Sequence, residues 1–253
     1  EACSTGSRMK SRPRRGRKPT PTPRLGSGTS CANGVHGSAT FARSALVAVP
    51  WDSAPQIAAI REDPGWHGGD YHGTGCAPDA GLAAARRIAH LTYRGELEID
   101  ERFGTSPQPG ENPLGQFRED GQRFSVQSYL EHQGRKLTER FDAGCYVALT
   151  EALNRHDVGR GRGGLNKALH SINVPTMVVG VDTDILYPYH QQEHLSRNLG
   201  NLLAMAKLSS PVGHDAFLVE ARQMDRILRN FIMLTEQTPS GRDLDATRGV
   251  YDI

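Results

Sequence analysis

Two polar side chains in the last third of the chain, Asp184 and His214, could together perform acid–base chemistry. Each lies shortly after a brief apolar stretch, and 30 positions separate them. A carboxylate next to an imidazole fixes the tautomer of the ring and stabilises its protonated form, which makes the other ring nitrogen a general base. The order carboxylate then histidine is that of the second and third members of one kind of nucleophile–acid–histidine triad. The pair is therefore a candidate acid and base for activating a hydroxyl.

The segments around these two residues predict that both lie at one edge of a parallel sheet. Residues 174–181 and 202–208 are short and apolar, as is typical of strands buried on both faces. Residues 191–199 between them predict a helix, so the strands should be parallel neighbours joined by a crossover. Gly213 predicts a tight turn, and apolar residues spaced three and four apart over 217–231 predict an amphipathic helix. The carboxyl ends of such strands are where α/β proteins place functional groups.

Each of these residues also has a purely structural interpretation when it is considered alone. His214 could be a turn histidine that only forms hydrogen bonds with its neighbours. Asp184 could cap a loop, or act as a ligand together with Asp182 in an Asp-x-Asp pair, because aspartate is common where loops begin. The two interpretations are separated by whether the carboxylate reaches the ring.

The middle of the chain predicts a helical insertion into this α/β arrangement. Asp142 is a predicted N-cap because aspartate accepts hydrogen bonds from the first free amides of a helix. An Arg/Gly run at 155–164 could bind RNA, but the flanking helices favour a structured loop. The further predictions are a strand at 45–49, helices at 56–61, 81–93, 126–141, 143–154 and 165–172, and loops at 65–71 and 104–121. The predicted fold class is α/β with a helical cap at about residues 70–165.

Composition divides the chain into three parts. Eight of the 30 basic and one of the 28 acidic residues lie in the first 24, so the remainder has 22 basic and 27 acidic groups, a net charge of −5. Residues 1–42 are basic and rich in Pro and Arg, and we predict that they are disordered. They could be a nucleic-acid-binding arm or a targeting segment. We favour the interpretation that they have no role in the folded domain. The domain should span 43–232, with a polar tail at 233–253.

Cysteine usage and hydropathy bear on location and partners. The 253 residues include four widely spaced cysteines without a Cys-x-x-Cys pair, which favours free thiols in a reducing cytosol. No apolar run approaches the roughly 18 residues that a membrane-spanning helix needs. The basic N-terminus lacks a following apolar segment, so it does not predict a secretory signal. We predict a cytoplasmic protein with no membrane association, no metal, no bound cofactor and no nucleic-acid partner.

Seven segments between residues 43 and 232 give the chain a close resemblance to the homoserine O-acetyltransferases of the α/β-hydrolase fold. Any one segment alone would be weak, whereas the set is specific. They are Gln56–Ile60, Gly68–Tyr71, Arg86–Arg94, Phe124–Leu130, Leu149–Gly164, Asp184–Pro188 and Gly213–Glu220.

The resemblance implies a site and a reaction. It implies that Asp184 and His214 are the acid and base of a Ser–Asp–His triad that transfers acetyl from acetyl-CoA to L-homoserine, in methionine biosynthesis. It also implies that Arg86 binds the carboxylate of homoserine, that Asp215 binds its amino group, and that Tyr93 lines the same site. Without the resemblance, Arg86 and Tyr93 would be interpreted as a surface helix residue and a core aromatic. It further implies a homodimer that forms through the cap helices at 126–154.

The chain departs from the family at the nucleophile. No Gly-x-Ser-x-Gly elbow occurs in the sequence, and the nearest form, at residues 28–32, does not follow a buried strand. We therefore expect an incomplete α/β-hydrolase fold from a truncated or frameshifted gene product, joined to family sequence near Arg43. Such a chain should have little or no activity.

Three alternative functions remain open from the sequence. The chain could be a related enzyme that uses serine as the acceptor or succinyl-CoA as the donor. It could also be a non-catalytic homologue that keeps only the cap helices or the basic tail for interactions.

Overall fold

A computed structural model describes residues 52–115 and 122–237 of the chain. These described residues all belong to one compact unit. Several features of the sequence analysis lie outside the described residues. They are the predicted strand at 45–49, the predicted disorder of residues 1–42, the serine at position 30 and the last part of the predicted tail. Among the described residues, no helix combines the length and apolar character needed to cross a bilayer.

The first part of the described chain is a layer of helices. Helices α1, α2, α4 and α5 pack together around a core that includes Ile57, Ile60, Leu82 and Leu137. The elements are α1 (Ala54–Arg61), a 3₁₀ helix (Pro64–Gly69), α2 (Asp79–Tyr93), α3 (Glu96–Arg102), α4 (Ser125–Thr138), α5 (Ala143–Asn154) and α6 (Leu165–His170).

Helix α5 begins as its sequence predicts. The Asp142 side chain accepts a hydrogen bond from the Cys145 amide at 2.7 Å, so the predicted N-cap is confirmed. The Tyr71 hydroxyl donates to the other Asp142 oxygen at 2.5 Å and accepts from the Gly144 amide at 2.7 Å. Because Tyr71 is buried, this network ties the start of α5 to the loop that follows the 3₁₀ helix.

The second part is a β-α-β unit with one further helical region. Strands β1 (Thr176–Val181) and β2 (Leu202–Leu208) are parallel, with Val181 opposite Leu208, and α7 (Tyr189–Asn198) connects them. Apolar side chains cover both faces of the described strands, as the continuous apolar runs predict. Helices α8 (Ala216–Val219) and α9 (Ala221–Gln237) follow β2, and Ile227 of α9 packs on one face.

Several elements differ from the sequence prediction. The loop predicted at 65–71 contains the 3₁₀ helix, and the helices predicted to end at 141 and 172 end at Thr138 and His170. Helix α3 was not predicted, because seven residues are too few to display a helical period. The single helix predicted over 217–231 is two helices, since Glu220 leaves the helical conformation and accepts a hydrogen bond from the Ser210 hydroxyl at 2.8 Å. The predicted tail boundary at 233 lies inside α9, where Met233 and the half-buried Leu234 continue the apolar pattern.

Candidate active site

The structure brings Asp184 and His214 into direct contact. Asp184 lies three residues after β1, and His214 lies six residues after β2, so both occupy the carboxyl edge of the described strands. Asp184 Oδ2 and His214 Nδ1 are 2.8 Å apart. Because an ionised carboxylate can only accept hydrogen bonds, this contact places the proton of the neutral ring on Nδ1. The lone pair on Nε2 is then available to take a proton from a hydroxyl.

Asp184 is held rigidly in this orientation. Its side chain is 6% exposed, and Oδ1 accepts hydrogen bonds from the amides of Leu186 and Tyr187, both at 2.8 Å. A buried carboxylate needs such partners because its desolvation is costly. With Oδ1 occupied by the backbone, Oδ2 is left to orient the imidazole.

The turn that carries His214 depends on two glycines. Gly213 has φ +84, where side chains other than glycine are strained, and a Cβ there would lie 2.5 Å from the Gly95 nitrogen. The Gly95 amide donates to the Val212 carbonyl at 2.9 Å, and the Gly213 amide donates to Thr183 Oγ1 at 3.2 Å. These contacts fix the turn to the end of α2 on one side and to the end of β1 on the other.

Aromatic rings surround the imidazole of His214. The Tyr187 ring meets it edge-on with centroids 4.8 Å apart, and the rings of Tyr93 and Phe217 lie at 5.7 and 5.9 Å. The His214 side chain is only 21% exposed. The rings therefore shield the imidazole from bulk water and restrict its rotation.

The other predicted site residues lie around the same histidine. The Arg86 guanidinium lies over the Tyr93 ring at 5.4 Å, and Tyr93 in turn contacts His214. Asp215 is the next residue after His214, and its Oδ2 is 3.8 Å from Arg94 Nε. The structure thus provides a cation from α2 and an anion from the turn on the His214 side of the fold.

Sequence reasoning assigned no role to His90 of α2 or to Arg94, which directly follows that helix. His90 is 4% exposed, and neither of its ring nitrogens has a hydrogen-bond partner in the described part of the chain. Burial, followed by the positive charges of Arg86 and Arg94, lowers the pKa of His90 to about 4. A spacing of four places Arg86 and His90 on one face of α2, and Arg94 follows at the same spacing directly after the helix ends; that pattern was the available signal.

No group of three or more His, Cys, Asp and Glu side chains among residues 52–115 and 122–237 could hold a metal ion. The chemistry available at this edge is that of an oriented imidazole with a nearby cation and anion.

The chain is similar to curated bacterial proteins over about half of their length. It is 74% identical over 188 residues to a homoserine O-acetyltransferase of Corynebacterium efficiens, a match that covers 73% of this chain and 50% of the relative. It is 77% identical over 181 residues to a homoserine O-acetyltransferase of Corynebacterium diphtheriae, covering 72% of this chain and 49% of the relative. No protein-family model matches the chain.

A solved structure supports the fold. The homoserine O-acetyltransferase of Bacillus anthracis superposes with a TM-score of 0.62 at 20% identity, covering 82% of this chain and 52% of that one. At this identity the likeness shows the fold alone. The predicted partial α/β-hydrolase fold is therefore confirmed, and the high identities of the two curated relatives confirm the predicted family resemblance.

Proposed function

We propose that Asp184 and His214 are the acid and base of a site for acetyl transfer from acetyl-CoA to L-homoserine, on the ground that the chain is 74% identical over 188 residues to a homoserine O-acetyltransferase. The observation that supports this most strongly is the 2.8 Å contact between a buried, backbone-held carboxylate and an imidazole at the ends of parallel strands. We assign the reaction to methionine biosynthesis in the cytoplasm.

The proposed reaction has two steps around His214. In the first, Nε2 takes the proton of a serine hydroxyl as its oxygen attacks the thioester carbonyl, and the imidazolium returns that proton to the departing CoA sulfur. In the second, Nε2 takes the proton of the homoserine hydroxyl as it attacks the acetyl-serine, and the proton goes back to the serine oxygen. Asp184 stabilises the imidazolium in both steps while remaining ionised.

Acceptor recognition is proposed to use one fixed cation and one fixed anion. Arg86 binds the carboxylate of homoserine, Asp215 binds its ammonium group, and Tyr93 lies between Arg86 and the imidazole. Charge-assisted hydrogen bonds to both ends of a zwitterion fix its orientation. The side-chain hydroxyl can then approach the acetyl group.

We further propose that this polypeptide by itself transfers acetyl poorly. Its sequence has no Gly-x-Ser-x-Gly elbow. Loss of one member of such a triad lowers turnover by about 10⁴ to 10⁶. Release of free thiol from acetyl-CoA by the chain alone, dependent on L-homoserine and at a rate typical of enzymes, would contradict this.

The test of the function is a chimera that supplies a nucleophile. It joins residues 43–232 to the half of the Corynebacterium efficiens relative that the chain does not match. We expect L-homoserine-dependent thiol release, and we expect His214→Ala to lower it by about 10⁴. His190→Ala, an exposed histidine on α7, is the matched control and should leave the rate unchanged. Equal rates for His214→Ala and its parent would contradict the proposal. Parallel reactions with L-serine and with succinyl-CoA test the two related activities.

We also propose a homodimer that forms through the cap helices. Leu149 and Leu153 of α5 are 58% and 47% exposed, and Phe141 just before α5 is 38% exposed. Leu149 and Leu153 are four residues apart and so lie on one face of α5, and exposed apolar side chains on one helix face favour a protein interface. Analytical ultracentrifugation should find a dimer, and Leu149→Glu should shift it to monomer. A monomeric wild-type chain at all concentrations would contradict the dimer without affecting the active-site proposal.

A further inference from the structure

Arg94 is shared between two carboxylates at the junction of the helical layer and the His214 turn. Its Nε lies 3.8 Å from Asp215 Oδ2, and its Nη1 lies 3.7 Å from Glu98 Oε1. The three side chains are between 18% and 25% exposed, so solvent screens their charges only partly. Glu98 also lies 3.5 Å from Arg102, which is half exposed and therefore better screened.

These groups are close without being fully hydrogen-bonded. Arg94 Nε and Glu98 Oε2 are buried, and neither has a hydrogen-bond partner within the described ranges. Both ion pairs are longer than a hydrogen bond, so electrostatic attraction alone connects them. Buried polar atoms normally have partners, which marks this cluster as a place where a polar group of a ligand could be accommodated.

The backbone fixes Arg94 relative to Asp215. Gly95 directly follows Arg94, and its amide donates to Val212, two residues before His214. A Cβ on Gly95 would lie 2.1 Å from the Pro211 carbonyl oxygen, so the two segments are in close contact. Arg94 therefore stays close to Asp215 even when its side chain moves.

We propose that Glu98 is a specificity-determining residue that acts through Arg94 and keeps Asp215 available to the ammonium group of the acceptor. This inference rests on the proposed function, in which Asp215 binds that group. A guanidinium that pairs with Asp215 alone would neutralise the anion that the ammonium needs. Because Glu98 shares the guanidinium, Asp215 keeps more of its attraction for a second cation. The site then selects α-amino acid acceptors over hydroxy acids that lack the amino group.

The experiment compares two acceptors that differ only in the ammonium group. NMR-detected titrations of the full chain with L-homoserine and with 4-hydroxybutyrate give the two dissociation constants. Glu98→Gln should weaken L-homoserine binding about five- to tenfold, because one negative charge is lost near the ammonium group. It should leave 4-hydroxybutyrate binding unchanged.

Three further variants separate this role from a structural one. Glu98→Ala is a second uncharged variant with high helix propensity, and it replaces Glu98→Gln if that variant does not fold. Far-UV circular dichroism shows whether each of the two variants is folded. Glu98→Asp keeps the charge and should restore selectivity. Glu101→Gln removes an exposed carboxylate from the same helix α3 and should leave both constants unchanged.

The outcomes separate the inference from the function on which it rests. If the wild-type chain binds L-homoserine and folded neutral variants at 98 bind it equally well, the inference is wrong and the proposed function stands. Equal weakening of both ligands would also overturn it, since that indicates a structural role. If the wild-type chain binds neither ligand, the proposed acceptor site fails and the inference fails with it.

Discussion

Acidification between pH 7 and pH 5 should destabilise the folded chain through His90. This side chain is buried, its ring nitrogens have no hydrogen-bond partner in the described residues, and its pKa is lowered from 6.5 to about 4. The unfolded chain binds the proton first as the pH falls, because its histidine has the higher pKa. The stability linked to neutral His90 is therefore complete above about pH 6.5 and is lost as the pH falls towards 4.

The size of the effect follows from the two pKa values. Integration of the proton linkage gives a loss of about 2 kcal/mol in the free energy of unfolding at pH 5 and about 3 kcal/mol below pH 4. Burial is the main cause of the lowered pKa, and the charges of Arg86 and Arg94 come second. The carboxyl groups of Asp142 and Asp225, whose pKa values are lowered, titrate below this window and do not obscure it.

Urea unfolding at pH 7 and pH 5 measures the effect. His90→Phe keeps a ring beside Tyr93 and Tyr129, with which His90 is in contact, and it removes the titrating group. The stability difference between wild type and this variant should change by about 2 kcal/mol between the two pH values. His132→Gln, at an exposed position on α4, should show no such change relative to wild type. If wild type and His90→Phe lose the same stability on acidification, the reasoning is refuted.

Three further substitutions test the packing that positions the site. Gly213→Ala introduces a Cβ 2.5 Å from the Gly95 nitrogen at φ +84. Urea unfolding should therefore show a loss of at least about 2 kcal/mol in the free energy of unfolding. An unchanged unfolding midpoint would be inconsistent with the turn described. Asp142→Ala removes the N-cap of α5 and a hydrogen-bond partner of Tyr71. Thermal unfolding should show that the free energy of unfolding falls by about 1–2 kcal/mol. Unchanged stability would mean that water replaces the cap. Leu208→Ala leaves a cavity at a fully buried position. Urea unfolding should show that the free energy of unfolding falls by about 3 kcal/mol. A decrease of less than about 1 kcal/mol would indicate that the core is less tightly packed than described.

The meeting of Asp184 and His214 could be predicted because it depends on local patterns. Two apolar strands separated by one helix allow only a parallel pair with a right-handed crossover, and residues after such strands share an edge. The Asp142 cap was predictable for the same reason, since a cap involves residues three apart. The identity of the acceptor residues, by contrast, came from the family resemblance and not from spacing.

The unpredicted features depend on contacts between distant segments. The approach of Gly95 to the Pro211–Gly213 segment, and with it the pairing of Arg94 with Asp215, joins positions more than 100 residues apart. Nothing in the local sequence of either segment encodes this distance. The break at Glu220 coincides with another contact across the turn, the hydrogen bond from the Ser210 hydroxyl to the Glu220 side chain. Helix propensity alone favours continuation there.

The protonation of the His214 ring tests the central claim most directly, because acid–base catalysis requires the proton on Nδ1 and a free Nε2. Long-range ¹H–¹⁵N correlation spectra of the chain distinguish the two neutral tautomers of the ring. The 2.8 Å contact with Asp184 predicts that Nδ1 carries the proton and that Asp184→Asn shifts the ring towards the other tautomer. A His214 ring that carries its proton on Nε2 in the wild-type chain, unchanged by Asp184→Asn, would contradict the assignment of this pair.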